Sequence, residues 1–531
     1  MAESALSLGA SSIPGDRRLA CAGLSPPTHT HLSLFASLAR HTRNYSLASV
    51  LTTVAGLISF PILTRVLEVQ DYGVMNLVAS ALAFAVGLGK LGMAHATLRF
   101  HADVSAGRVA GVDLRQFVPT VLFGMAGLGL LATLGWGLVA LLVPAGLWSD
   151  PRMAGLMGLT AVLVLVRVLH SGLTNILRAR EHSGLLALLT VLHRYLTLGL
   201  VLGAVFLIAP TLWSFYGATV LAELALLVAL LVFGLRGEAL RPALVSPALL
   251  RSMIVFALPM TGYELASVVL QLGDRYVQQA YLNAEAVGLY SAAYNLCDYI
   301  RLALFTAMTG AALPMLLRLA SEQGEAACTA FLARFTHLYV FAGLAVVAGL
   351  CAVRVELLSL LASPKYQAGA QAIPWLICGM LCEAYFGLAG IGLYLRKKSL
   401  ATMSILAGGA ALNMLLNVLL VPHLGITGSA ISNLLSCAAI VATAQAATRR
   451  SLPLSLPLLP LLRFAVLAAL SVLLGLQLDF GSPLVTLLLR GSAVVLLYVG
   501  LALLLDARLR EAAGQAAAGL RARLPGGAAA R

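Results

Sequence analysis

Charge is scarce in this chain. Only 11% of its 531 residues are charged and 60% are hydrophobic, whereas an ordinary soluble domain is roughly 25% charged. A water-soluble chain has nowhere to hide that much apolar surface. Soluble enzymes, extracellular scaffolds and transcription factors are therefore excluded. Strand-like alternation is missing too. A transmembrane barrel alternates apolar and polar residues over about ten positions, but the apolar runs here are unbroken for roughly twenty residues, the length of a membrane-spanning helix. Lysine is nearly absent, with four (Lys90, Lys365, Lys397, Lys398) beside 31 arginines in a chain of net charge +14. These basic residues stand singly or in pairs between apolar runs, a pattern of membrane topology and not of a nucleic-acid-binding face. Seven cysteines make an odd count. Cys378 and Cys382 share a helix face with no second pair and no His-x-x-His beside them, so they read as small packing residues and not metal ligands. No P-loop glycine pattern and no Ser/His/Asp constellation is present, so neither ATP drive nor catalysis is expected from this chain.

Fourteen apolar spans follow one another at about 46–64, 74–97, 117–143, 153–176, 184–208, 211–234, 253–272, 287–312, 335–353, 371–395, 400–421, 425–447, 456–477 and 484–505. Each can cross a hydrocarbon core of ~30 Å at ~1.5 Å per residue. The expected fold is an all-α polytopic membrane protein. Placing both termini in the cytoplasm puts 24 basic residues inside and five (Arg65, Arg152, Arg275, Arg354, Lys365) outside. That asymmetry fixes the expected orientation. Trp136, Trp148, Trp213 and Trp375 fall toward the outer span ends, as an interfacial belt does. Residues 1–43 lack the charged start, apolar stretch and cleavage site of a signal peptide, in that order, and read as a disordered cytoplasmic tail. The loops are short. None could hold a catalytic domain, which weighs against a membrane-embedded polymerase or glycosyltransferase.

Landmarks recur along the chain. Arg65 ends span 1 and Asp71-Tyr72-Gly73 opens span 2; Asp274-Arg275 ends span 7 and Val287-Gly288-Leu289-Tyr290 opens span 8. Arg178 lies 105 residues after Gly73, and Arg396 lies 108 after Gly288. The spacing divides the chain into a six-helix half at 44–240, a second at 241–450, two further helices at 451–505 and a cytoplasmic tail at 506–531. Six is even, so the halves run parallel, related by an axis along the membrane normal. Two such halves enclose a central cleft able to open to either side.

The stretch Pro61-Ile62-Leu63-Thr64-Arg65-Val66-Leu67 with Asp71-Tyr72-Gly73 resembles the first helical pair of bacterial polysaccharide flippases. So do Asp274-Arg275 with Glu285 to Tyr294, and the span 12 start Gly425 to Ser432. These mark the O-antigen (Wzx-type) branch of the multidrug/oligosaccharidyl-lipid/polysaccharide exporter superfamily. The resemblance covers residues ~44–505 and is most specific over spans 7 and 8. It implies a flippase of the bacterial inner membrane that moves polyprenyl-pyrophosphate-linked sugar repeat units for O-antigen, lipopolysaccharide or exopolysaccharide assembly, alongside a polysaccharide polymerase and a chain-length regulator. It also implies that spans 1, 2, 7 and 8 line the path. A cation-coupled multidrug exporter of the same superfamily is the alternative; an acidic cleft and twelve spans would favour it.

Charges within spans are costly, at ~2.5–3.5 kcal/mol on insertion scales, so each needs a reason. On span 8, Tyr294, Asp298, Arg301 and Phe305 fall on one helical stripe. Arg301 is the expected pyrophosphate ligand through its planar fork, with Asp298 holding it or taking a coupling ion. On span 7, Glu264, Val268, Gln271 and Arg275 share a stripe, with Glu264 deep enough to carry H⁺ or Na⁺. Lys90, Arg275, Arg65 and Tyr294 complete the expected substrate contacts. Each has a plainer reading as helix lock, headgroup anchor or snorkeling side chain. Arg167, His170, His193, Arg194 and Glu223 read as an internal network of the first half, and Arg463 and Arg490 as structural or as lipid-facing snorkelers. Six of the 15 tyrosines lie between Tyr263 and Tyr299 and could stack on sugars or sit at interfaces.

Overall fold

The computed structural model describes residues 28–109, 112–144, 150–396, 398–449 and 458–523, and every regular element among them is helical. The first half comprises α1 (Thr28–Val66), α2 (Val69–Lys90), α3 (Met93–Ser105), α4 (Leu114–Leu142), α5 (Met153–Ala179), α6 (Ser183–Leu207) and α7 (Leu212–Ala229). The second comprises α8 (Pro247–Leu272), α9 (Asp274–Tyr281), α10 (Ala284–Ile300), α11 (Ala307–Glu322), α12 (Gly324–Ala352), α13 (Arg354–Leu361), α14 (Ile373–Ala389), α15 (Ile391–Leu395), α16 (Ser399–Leu424) and α17 (Ile426–Thr448). Then come α18 (Leu458–Gly475), α19 (Pro483–Leu505) and α20 (Ala507–Arg523).

Twelve helices among the described residues are long and apolar enough to cross a membrane. Two of the fourteen expected spans fall outside that set. The thirteenth is short, its apolar helix running Leu459–Gly475. The eighth is interrupted. A π-helical segment, Arg301–Thr306, joins α10 to α11. Such wide turns are rare and gather at functional sites; this one starts at Arg301.

Both predicted tails are shorter than expected. Residues 28–43 belong to α1, because no Gly or Pro stands between Pro27 and Gly56 to stop the helix. Most of 506–531 is α20, which Asp506 caps by accepting from the Leu509 amide at 3.1 Å. Residues 1–27 and 524–531 lie outside the described residues, as does Trp148. Trp136 leaves the expected interfacial belt: it is buried, and its indole donates to the Met157 carbonyl at 2.9 Å.

Without water to drive association, membrane helices meet through small residues and close packing. The two halves do so reciprocally. Gly73 is the fifth residue of α2 and Gly288 the fifth of α10. A Cβ on Gly73 would fall 1.8 Å from the Ala284 carbonyl oxygen, and one on Gly288 would fall 2.1 Å from that of Val69. Each glycine thus seats the first residue of the opposite helix, a two-fold relation written in the backbone. The extra helices α18 and α19 pack on the second half. Tyr498 donates to Phe341 O at 3.0 Å, and Arg490 is buried and pairs with Glu356 at 2.6 Å.

Candidate functional site

The halves are joined tightly at one end of the bundle. Beyond the paired glycines, Arg65 donates to the Leu360 carbonyl at 2.6 Å, capping the C-terminus of α13. Lys365 returns the contact by donating to the Leu67 carbonyl. Thr64 donates to Ala362 O at 3.1 Å, Asn295 to the Tyr72 hydroxyl at 2.8 Å, and Tyr276 to Leu77 O at 3.0 Å. All five contacts cross between the halves. This end carries the segments expected outside.

Arg275, Tyr294 and Arg65 lie at this sealed end. Arg275 is 2% exposed, donates to Gln271 O at 2.9 Å and pairs with Asp274 at 3.2 Å. Asp274 also accepts from Tyr290, and the Arg275 guanidinium lies over the Tyr294 ring at 4.8 Å. A guanidinium so enclosed serves the joint between α9 and α10. Arg65 is exposed but spends its donors on α13. In this conformation none of the three faces the main cavity, because each is occupied by the seal itself. Of the tyrosine cluster, Tyr276, Tyr290 and Tyr294 belong to the same joint, Tyr263 lines the main cavity and Tyr299 a smaller one.

Toward the opposite end lies a cavity of about 790 Å³, walled by α2, α3, α5, α6 and α7 of the first half and by α8 of the second. Lys90 and Glu264 both line it. Lys90 is placed by a break in the helix: Leu91 (φ 42°) and Gly92 (φ 63°) are left-handed and end α2 immediately after it. Gly92 is also a close approach, since a Cβ there would meet the Ala257 carbonyl of α8 at 2.4 Å. The α5 wall carries a polar stripe, Arg167, Ser171, Thr174 and Arg178. It has the same spacing as the stripe on span 8, so periodicity alone could have revealed it. The sequence reading treated Arg167 and Arg178 separately and missed it.

Two charge clusters flank the axis, one in each half. In the first, Arg167 Nε lies 2.8 Å from Glu223, with His170 Nδ1 at 3.5 Å and His193 Nε2 at 3.7 Å. The expected network is present except for Arg194, which turns away to line the smaller cavity with Tyr72 and Tyr299. In the second, Arg301 Nε donates to Asp298 at 2.8 Å, so the i,i+3 pair forms. Its Nη1 also reaches Glu383 at 3.8 Å, and Gln271 donates to Glu383 at 3.3 Å. Glu383 is thus the partner that ties spans 7, 8 and 10 at the π segment. Its place beside Arg301 was not legible, because it comes from a distant helix.

The sequence profile described as Polysaccharide biosynthesis protein matches residues 38–320, more than half the chain. The chain belongs to that family. No curated protein is significantly similar to it in sequence. Solved structures are similar in fold. "Lipid II flippase MurJ, inward closed conformation" superimposes with TM-score 0.71 at 12% identity, covering 86% of this chain and 98% of that one. A point mutant of the Vibrio cholerae MATE transporter VcmN gives 0.52 at 15%, covering 80% and 99%. A multidrug resistance MATE family transporter of the MOP superfamily in an outward-facing conformation gives 0.50 at 16%, covering 78% and 95%. This member of the polysaccharide biosynthesis family therefore has the fold of MOP-superfamily transporters and is a multi-pass membrane protein.

Proposed function

We propose that this protein is a flippase that moves a polyprenyl-pyrophosphate-linked oligosaccharide from the cytoplasmic to the periplasmic leaflet of the bacterial inner membrane. The observation that carries the reading is the cavity of the first half closed by α8, lined by Lys90, Arg167 and Arg178, with the halves sealed at the Arg65 end. The basic asymmetry of the loops supports placing its open end in the cytoplasm, where such a substrate is made. A pyrophosphate entering there meets two guanidinium forks and one ammonium. The walls offer Ser, Thr, Asn and Tyr side chains to sugar hydroxyls. Rocking of the halves, with the α2–α10 joint parting, would close that end and open the other. Lys90 then makes first contact. Arg301 takes over deeper, released from Asp298, while Arg65, Arg275 and Tyr294 become reachable as the seal parts. The gradient is carried as H⁺ or Na⁺ by the deep carboxylates, Glu264 on the cavity wall and Asp298 beside Arg301. No cofactor is needed. A polymerase and a chain-length regulator in the same membrane would consume the product.

The reading is tested in proteoliposomes holding a fluorescent polyprenyl-pyrophosphate oligosaccharide. Loss of fluorescence to an impermeant quencher should require the protein, and Lys90→Ala should slow it at least tenfold. No protein-dependent movement, together with export of cationic drugs, would transfer the protein to the multidrug class.

A further inference from the structure

The cluster at Glu223 has a charge arithmetic of its own. Three helices meet there: α5 brings Arg167 and His170, α6 brings His193, and α7 brings Glu223. Glu223 Oε1 is satisfied by Arg167 Nε at 2.8 Å. Glu223 Oε2 is buried with an imidazole on either side, and no hydrogen bond is closed to it; His193 Nε2 is likewise buried and unpartnered. The two rings stand perpendicular with centroids 5.8 Å apart. A buried carboxylate oxygen flanked by two imidazoles, and satisfied by neither, is a group able to take up one proton. Imidazole is the side chain that carries such a proton near neutral pH.

Arg167, His170 and Glu223 also line the main cavity. With its histidines neutral, that lining holds three cations, Lys90, Arg167 and Arg178, against two anions, Glu223 and Glu264. One positive charge is left over. A diphosphate diester brings two negative charges, so the cavity is one short. Arg194, beside His193 on α6, turns to the smaller cavity and does not supply it.

We propose that Glu223, His170 and His193 form a proton site that fills when a diphosphate occupies the cavity, so that substrate binding and proton uptake are one linked event. The inference rests on the flippase reading and adds to it a second titrating centre, separate from Glu264. The linkage is reciprocal: the proton tightens diphosphate binding by the factor by which diphosphate tightens proton binding. For one proton, affinity gains at most about tenfold per pH unit.

The test uses the full-length protein in detergent and a soluble short-chain isoprenyl diphosphosugar. The diester oxygens of this probe do not titrate near neutrality, so any pH dependence belongs to the protein. Calorimetry in two buffers of different ionisation enthalpy counts the protons taken up. Wild type should bind more tightly as pH falls from 8 to 6 and take up close to one proton per probe. His170→Gln with His193→Gln should bind with a flat pH profile and no uptake, and Glu223→Gln should do the same should the double variant fail to fold. His95→Gln, which removes the other histidine of the cavity lining, should keep the wild-type slope. A flat wild-type profile without uptake, or a slope that survives the double variant, would overturn the proton site and leave the flippase intact. Absence of probe binding by wild type would overturn both.

Discussion

Arg167 and Glu223 show what a single side chain does in this bundle. Glu223 is 6% exposed, and Arg167 is its closest cation. Removing one partner of a fully buried pair costs about 3–5 kcal/mol; Arg167 is one-third exposed to the cavity, so its loss should cost less. Arg167→Met should therefore lower the detergent melting temperature, and Arg167→Met with Glu223→Gln should recover most of the loss. Equal melting of the single and double variants would show that the pair carries no net weight. For Arg301 the readout is transport. Arg301→Ala should abolish glycan export at normal protein level, and Arg301→Lys should restore it in part, since an ammonium lacks the bidentate fork. Full export by Arg301→Ala would reduce the residue to a lock between α10 and α14. For Glu264, replacement by Gln should slow gradient-driven transport in proteoliposomes while leaving substrate binding nearly intact. A gradient dependence equal to that of wild type would clear it of coupling and leave Asp298. Outside the membrane, Arg152 donates to Asp150 at 2.8 Å and holds its carboxyl below the usual range. A lowered carboxyl stabilises the fold above its ordinary value, and that stabilisation is lost as pH falls through the range of the lowered value. Asp150→Asn should thus melt lower than wild type at pH 7, with the gap closing in strong acid.

At the scale of elements, the α2–α10 joint is the clearest object. Gly73→Ala puts a Cβ where the Ala284 carbonyl already stands, so the halves must separate at that end or strain. Overpacking of this kind costs about 1–3 kcal/mol. The variant should raise the labelling rate of a cysteine placed at Thr64 by an impermeant maleimide. Gly217→Ala, where a Cβ meets nothing within 4 Å, should not. Unchanged labelling in Gly73→Ala would argue that the joint does not hold the seal. This joint also marks how far the sequence could be read. Asp71-Tyr72-Gly73 and Val287-Gly288-Leu289-Tyr290 were visible as a repeat, because spacing along the chain survives in the sequence. That the two glycines face each other was not visible, because it depends on how the halves pack. Hydrophobic runs located the helices, but not the break after Lys90, which is a matter of backbone at Leu91 and Gly92, nor the π segment at Arg301. Lys90 and Glu264, singled out by depth and charge, line the main cavity. Arg275 is enclosed in this conformation, which charge and depth along a span could not foretell, because they do not tell which face of the helix is covered; Asp274, Gln271 and Tyr294 cover it.

At the scale of the whole molecule, orientation comes first. Reporter fusions after residues 110, 180, 245, 325, 397 and 450 should all report cytoplasm, as the loop arginines require. Periplasmic activity at two of them would invert or break the fourteen-span order. The larger claim is that the sealed Arg65 end must open for transport, and it can be tested by holding it shut. In a cysteine-free background, cysteines at Thr64 and Ala362 stand where one side chain already donates to the other residue's carbonyl across the halves at 3.1 Å. Bridging them with a short reducible cross-linker should stop movement of the fluorescent lipid-linked oligosaccharide, leave its binding at the open end intact, and be reversed on reduction. Transport that continues undiminished through the locked seal would contradict alternating access between these halves.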